Sequence, residues 1–318
     1  MPDRINRQLF ALLNQGRQLD IKLYGSYEKD LIGLYKKALD NIRAELSSLL
    51  SSAGDNATIA DIRAKRLQSL YDSIQKELIK IEPHSRNLIS KVILASYKQS
   101  YGFVGYAVEK VLQQEIGFGS VHEMSLKAAL FNPYDKIKWD DRNRANVTRM
   151  ISRVRNEITQ GLIEGKGYVK TAASMTEQLN IGVSKAVRIA WTETHRAQES
   201  GRLLGIIEAS NYGNSIGMGT TKFWDATLDS RTRVNHGHME NENPNGDGKF
   251  KFVTMSGLTV YVDGPGMTGT TDDIDCRCTL SMRFKDIPLR VRRDNENGKI
   301  IPYKTYDEWS KARLGKTE

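Results

Sequence analysis

The chain lacks several features by which a sequence announces its class. It holds two cysteines in 318 residues, Cys276 and Cys278, one residue apart. A secreted disulfide scaffold needs several spaced cysteines, so that class is excluded. No run of about 18 apolar residues occurs, which excludes a helical membrane span. The opening Met1-Pro2-Asp3-Arg4 is polar and unlike a signal sequence. The expectation is a chain made in a cytoplasm and not embedded in a membrane. There is no glycine-rich phosphate loop of the GxxxxGK[ST] form and no motif that reads base edges. Internal repeats and low-complexity tracts are absent as well.

What the chain does have is positive charge and helical periodicity. Its 47 Lys and Arg against 38 Asp and Glu give a net charge of +9 and a pI near 9.3. The excess is uneven: residues 222–318 hold sixteen basic against fifteen acidic residues, and the first 221 hold 31 against 23. The basic part points to an anionic neighbour, nucleic acid first, against the plainer reading of a solvated surface. The length suffices for a sizeable core and two domains.

Residues 5–50 carry Leu23, Tyr27, Leu31, Leu34, Ala38, Ile42, Leu46 and Leu49 at three- and four-residue steps, one face of a helix. Gly54 reads as a helix stop, and Thr58 is placed to cap a second helix that Pro83 ends. The two are expected to form an antiparallel hairpin, with ordinary bundle packing weighed against a coiled-coil seam. A third helical region, 85–116, is expected to break or kink near Gly102 and Gly105, and Ser120 can cap a short helix ending near Phe131. Residues 140–164 form an amphipathic helix, with Val147, Ile151, Val154, Ile158 and Leu162 on one face. Arg142, Arg149 and Arg153 stripe the opposite face. Guanidinium groups bond phosphate bidentately, so this stripe is the candidate for DNA contact without sequence specificity, with a solvated face as the alternative.

A short helix over 169–179 is expected to end at Asn180–Val183, with Ser184 capping a new helix over 185–209. In that helix Ala190, Ala197, Gly201 and Gly205 allow close approach of a neighbour, and Arg188, His195, Glu199 and Arg202 share another face. Glu193 lies at the edge between them, where a helix-surface ion pair is the commoner outcome. Further on, 220–226 reads as a strand, 229–235 as a loop or short helix, and 250–253 with 258–262 as a hairpin turning at Ser256-Gly257. The tail from Ile301 reads as extended, leading into a short helix near Leu314.

Reactive side chains concentrate between Lys222 and Cys278: Trp224-Asp225, then Asp229-Ser230-Arg231-Thr232-Arg233, His236, and Cys276-Arg277-Cys278. His236, Cys276 and Cys278 are candidate zinc ligands, since thiolate and imidazole suit that ion. His238, Asp229 or Asp275 would have to complete the set. The competing reading joins Asp229, Arg231, Arg233 and His236 in a polar network that pins the strand-to-loop junction and needs no cofactor. A catalytic reading makes His236 a base for a cysteine nucleophile, or lets acidic and imidazole groups hold a nuclease metal.

Three blocks together, Ala190-Trp191-Thr192-Glu193-Thr194, Trp224-Asp225 with Asp229–His236, and Cys276-Arg277-Cys278, resemble the tailed-phage minor head proteins, the head morphogenesis family that includes Mu protein F and the SPP1 minor capsid protein. The likeness covers roughly 185–284. It departs at Asp275, where relatives often carry Pro-Asn, and in the Gly/Asn-rich run after Met239. The expected fold is α+β: a mostly helical domain over 1–184, a smaller α+β domain with a β-hairpin over 185–285, and an extended tail over 286–318. The resemblance implies a structural, non-enzymatic protein of the virion, inside the head. It implies contact with a portal protein, scaffold or major capsid protein, association with double-stranded DNA during packaging or ejection, and possible self-association. It makes Glu193, Trp224, Asp229, Arg231, Arg233 and His236 the structural motif. The rival is a metal-dependent nuclease or toxin-like transferase in the α+β part, and a third reading is a plain DNA-binding protein.

Overall fold

The structure, a computed structural model, describes residues 2–52, 60–131, 138–164, 168–285, 291–293 and 300–302. Helices dominate: α1 (Pro2–Ser52), α2 (Ala60–Leu112), α3 (Glu123–Phe131), α4 (Trp139–Ile163), α5 (Tyr168–Ser215) and the single-turn α6 (Val234–Gly237). Six short strands follow α5: β1 (Thr220–Asp225), β2 (Phe250–Val253), β3 (Thr259–Val262), β4 (Thr279–Phe284), β5 (Val291–Arg293) and β6 (Ile300–Pro302). They pair antiparallel as β1 with β4, β2 with β3 and β5 with β6. The fold is α+β, helical first and strand-bearing last. Among the described residues no helix is long and apolar enough to cross a membrane. The expected caps and stops at Gly54 and Thr58, and the helix near Leu314, lie outside the described residues.

The helices are longer than the local signals suggest. α2 runs through Pro83. Near the proline, His84 Nδ1 lies 2.8 Å from the Lys80 carbonyl, and the Ser85 hydroxyl donates to the Glu82 carbonyl at 3.0 Å. The apolar face continues on both sides, with Leu78, Ile81, Ile89 and Val92 all buried, so burial outweighs the proline. α2 also runs unbroken through Gly102 and Gly105. α5 likewise has no break at Asn180–Val183. Ser184 is not a cap there; its hydroxyl donates back to the Asn180 carbonyl at 3.1 Å, a bond open to serine inside a helix.

The chain divides into two compact units, and neither is a continuous stretch. One comprises 25–92 and 137–191, the other 1–24, 93–136 and 192–318. The expected boundary at 184 falls inside α5, because α1, α2 and α5 each contribute to both units.

The all-helical unit is built on α1 and α2 running antiparallel. Asn41 donates to Glu77 at 3.2 Å and Ser73 to Glu45 at 2.5 Å, so residue numbers rise along one helix as they fall along the other. Leu31, Tyr35, Ala38 and Ile42 of α1 and Leu70, Ile74 and Leu78 of α2 are buried, as are Val147, Met150, Val154 and Ile158 of α4. Two buried asparagines fix α4: Asn143 donates to Ser85 Oγ at 2.9 Å and Asn146 to the Gly182 carbonyl at 2.8 Å. At Gly182 a Cβ would fall 2.2 Å from the Met150 sulfur, so the glycine serves close helix packing rather than a helix break.

The other unit carries every strand. The first turns of α1, the end of α2 and the end of α5 share one core with the ribbons, including Leu9, Val104, Ile206, Trp224, Phe250, Phe252, Leu280 and Met282. The small residues of α5 act as the sequence suggests: a Cβ on Gly201 would lie 2.3 Å from the Tyr97 carbonyl oxygen. Asn6 mimics a strand edge, accepting from the Phe284 amide at 2.9 Å and donating to its carbonyl at 3.2 Å. Beneath this core lies a buried ion cluster. Arg202 pairs with Asp20 of α1 at 2.6 Å and with Glu199 one turn away, and Glu199 accepts the Leu280 amide of β4 at 2.6 Å.

Candidate functional site

The residues singled out between Lys222 and Cys278 converge at one end of the β1–β4 ribbon. Asp225 pairs with Thr279, so the Cys276-Arg277-Cys278 segment enters β4 directly opposite the chain leaving β1. Extended backbone alternates its side chains between faces. Cys276 and Cys278 therefore share the inner face, each 2% exposed, while Arg277 points the other way. Arg277 forks onto Asp229, with Nη2 2.8 Å from Oδ1 and Nη1 on Oδ2. Burial alone would raise the Asp229 pKa. Arg277 and the Arg231 amide outweigh it and hold the carboxyl below its usual range.

This alters the expected polar network. Asp229 pairs with Arg277, while the Arg231 side chain is 78% exposed with its guanidinium 4.0 Å away. Arg233 donates to the carbonyls of Asp272 at 2.7 Å and Ile274 at 3.2 Å, anchoring the loop that precedes the cysteines. Trp224 is fully buried, stacked on Phe252 at 5.6 Å and edge-on to Phe250. Glu193 is buried and pairs with Arg196 at 3.0 Å, so its ion pair is internal rather than on the helix surface. Arg196 also donates to the Ala129 carbonyl at the end of α3, at 2.7 Å.

His236, on α6, is 3% exposed and reaches the two thiols. Its Nδ1 lies 3.5 Å from Cys278 Sγ and 3.7 Å from Cys276 Sγ. These three ligand atoms fall within 4.8 Å of one another, the group among the described residues that could hold a metal. The three completions suggested by sequence do not join it. His238 and Asp275 are exposed, and Asp229 is committed to Arg277. The other nitrogen, Nε2, is buried without a hydrogen bond and faces Asp272 Oδ1 at 3.8 Å. Hydrogen bonding between the thiols pushes Cys276 up and draws Cys278 down, with His236 assisting at Cys278. The pair therefore yields its first proton readily and its second reluctantly. His195 of α5 is also buried, which lowers its pKa to about 3; the nearby Cys278 opposes that shift.

Two contributors have no local signal in the sequence. Arg17 of α1 donates to the Arg277 carbonyl at 2.9 Å and to the Thr227 hydroxyl, clamping the backbone between the cysteines. Asp272 sits in a 3₁₀ turn, Thr271–Asp273, where Asn235 donates to it at 2.7 Å and Thr270 at 3.2 Å. Arg277 was likewise not singled out; the extended backbone leading into β4 turns it away from the two thiols and onto Asp229.

The same region is what other proteins share. Residues 152–281, containing both the Asp229–His236 block and the two cysteines, match the family described as Phage Mu protein F like protein. Over 293 residues the chain is 27% identical to Minor head protein GP7 of Bacillus phage SPP1, covering 90% of this chain and 92% of that protein. Both matches make the chain similar to the phage head morphogenesis proteins. A second relative is NAD(+)--arginine ADP-ribosyltransferase EFV of Enterococcus faecalis (strain ATCC 700802 / V583). It is 26% identical over 296 residues, 93% of this chain, and the chain spans 59% of its length. No solved structure matches.

The other predicted surface lies in the all-helical unit. Arg149 is exposed and Arg153 half-buried on α4. Arg153, Arg149 and Arg188 all act to lower the pKa of Lys185, with Arg153 the largest influence, so four cations from α4 and α5 crowd together. Arg142, farther back on α4, is half-buried.

Proposed function

We propose that the protein is a structural component of the phage head, incorporated into the procapsid near the portal and in contact with packaged DNA. The observation that carries the head role is the match to a minor head protein along nearly the whole of both chains. What supports DNA contact is the Arg149, Arg153, Lys185 and Arg188 cluster. Four cations held close repel one another, and an anion bound between them relieves that repulsion. Phosphate is the ligand that suits such a surface, and with no base-reading motif the binding is independent of sequence.

The transferase activity in the second relative's name is best ascribed to the part of that protein outside the match. The shared stretch accounts for almost all of a phage head protein but only 59% of the transferase. The burial of Cys276, Cys278 and His236 also leaves the thiols out of a substrate's reach.

Two measurements test this reading. Procapsids assembled with the tagged protein and cross-linked should yield a covalent adduct with the portal; recovery of the chain only outside particles would refute the head role. Duplex affinity should fall steeply with salt. Arg149→Glu with Arg153→Glu should weaken it at every sequence tried and flatten the log–log salt slope by about 0.9 for each phosphate no longer neutralised. An unchanged slope would remove this face from the DNA interface.

A further inference from the structure

We propose that His236, Cys276 and Cys278 form a structural zinc site in which His236 binds through Nδ1 and Asp272 orients the ring from behind. The geometry carries this. Tetrahedral zinc, with a metal–sulfur distance of about 2.3 Å and a metal–nitrogen distance of about 2.05 Å, separates a ligating nitrogen from a ligating sulfur by about 3.6 Å. The two separations here are 3.5 and 3.7 Å. Both thiols converge on a single imidazole lone pair, which can accept from only one S–H at a time. One cation between the three atoms satisfies all of them.

The ring's far side supports the same assignment. A metal-bound histidine almost always donates its other N–H to a carboxylate or carbonyl. Nε2 is buried with no hydrogen bond, and the atom it faces is Asp272 Oδ1. That carboxylate is already fixed in direction by Asn235 and Thr270. Closing the 3.8 Å gap by about 1 Å would make the N–H···O bond and hold Nδ1 towards the thiols. The Cys-x-Cys spacing places both sulfurs on one face, and the Arg277–Asp229 fork behind them holds that face inward.

Zinc binding replaces the thiol protons with the metal and releases them to solvent. His236, Cys276 and Cys278 supply three of the four tetrahedral positions. The site would join α6 to the entrance of β4, about forty residues apart in the chain, in the part of the core that holds Trp224 and Phe252. It requires neither the portal nor DNA, so its outcome is independent of the head assignment.

Full-length protein purified without chelator should contain about one zinc per chain by elemental analysis. Cobalt exchange should give a thiolate-to-metal charge-transfer band and tetrahedral ligand-field bands, and a strong chelator should lower the melting temperature. Cys278→Ser should lose the charge-transfer intensity. Because that variant can fail to fold, Asp272→Asn is the second test: it keeps all three ligands and should weaken metal affinity by about 10- to 100-fold. A folded wild-type chain with no zinc, no cobalt charge-transfer band and a melting temperature indifferent to chelator would overturn the proposal. So would an Asp272→Asn variant that binds the metal as tightly as wild type.

Discussion

Replacing Arg202 with methionine tests whether the buried ion cluster holds the strand-bearing unit together. Arg202 is 6% exposed in its side chain, Asp20 3% and Glu199 0%. Burial opposes all three charges: at Asp20 and Glu199 it outweighs the lowering by Arg202 and raises both carboxyls, while at Arg202 the two acids outweigh it. The guanidinium spans two carboxylates from different parts of the chain. Removing it leaves both acids buried without a counter-charge, a change that typically costs about 3–5 kcal/mol. The loss should depend on pH, because the stranded carboxyls can escape by taking up protons. It should be near the full value at pH 8 and clearly smaller at pH 5. Urea unfolding of wild type and Arg202→Met at both pH values measures it. Adding Asp20→Asn and Glu199→Gln should recover most of the stability, since a neutral buried trio needs no ion pairing. A cost below about 1 kcal/mol, or one equal at both pH values, would refute the reasoning.

Glu199 gives a further pH prediction: burial raises its pKa from 4.5 to about 7. The folded state therefore holds that proton more tightly, and the contribution is full below pH 4.5 and lost as pH rises through 7, at about 1.4 kcal/mol per unit. His195, lowered from 6.5 to about 3, has the opposite slope: its contribution is present above pH 6.5 and lost as pH falls towards 3. The two should largely cancel between 4.5 and 6.5, so Glu199→Gln should expose the His195 slope as stability rising with pH; denaturation curves with identical slopes for both proteins would contradict this. Gly201→Ala should destabilise by about 1–3 kcal/mol or more, because its Cβ meets the Tyr97 carbonyl at 2.3 Å. Gly25→Ala, with nothing within 4 Å, should instead stabilise by up to about 1 kcal/mol, and thermal unfolding of the pair checks both signs.

The local pattern went far in the strand-bearing part. Alternation over 250–253 and 258–262, with Gly257 at φ +82° between them, specified the β2–β3 hairpin, whose second strand starts at Thr259. The strand before Asp225 and the helix over 140–164 formed where periodicity placed them. Helix ends were misplaced wherever a single residue was trusted over its surroundings. Pro83 and the Asn180–Val183 run both lie inside helices, because buried faces on each side hold the backbone in register. At the candidate site, His236, Cys276 and Cys278 were identifiable by residue type and do meet. Arg231 was grouped with them by proximity in sequence, yet it faces solvent.

By itself, the sequence determined the helical and strand periods, the basic balance of the first 221 residues, and the residue types of the histidine–thiol group. These depend on a few neighbouring positions, where backbone geometry dictates which side chains share a face. Only the tertiary structure decided the partners. Arg202 meets Asp20 across 182 positions, Arg277 takes Asp229 across 48, and His236 turns its two nitrogens to the thiols and to Asp272. A charged or ligating side chain specifies what kind of group it needs, and which group answers is fixed only when burial has removed water as a competitor.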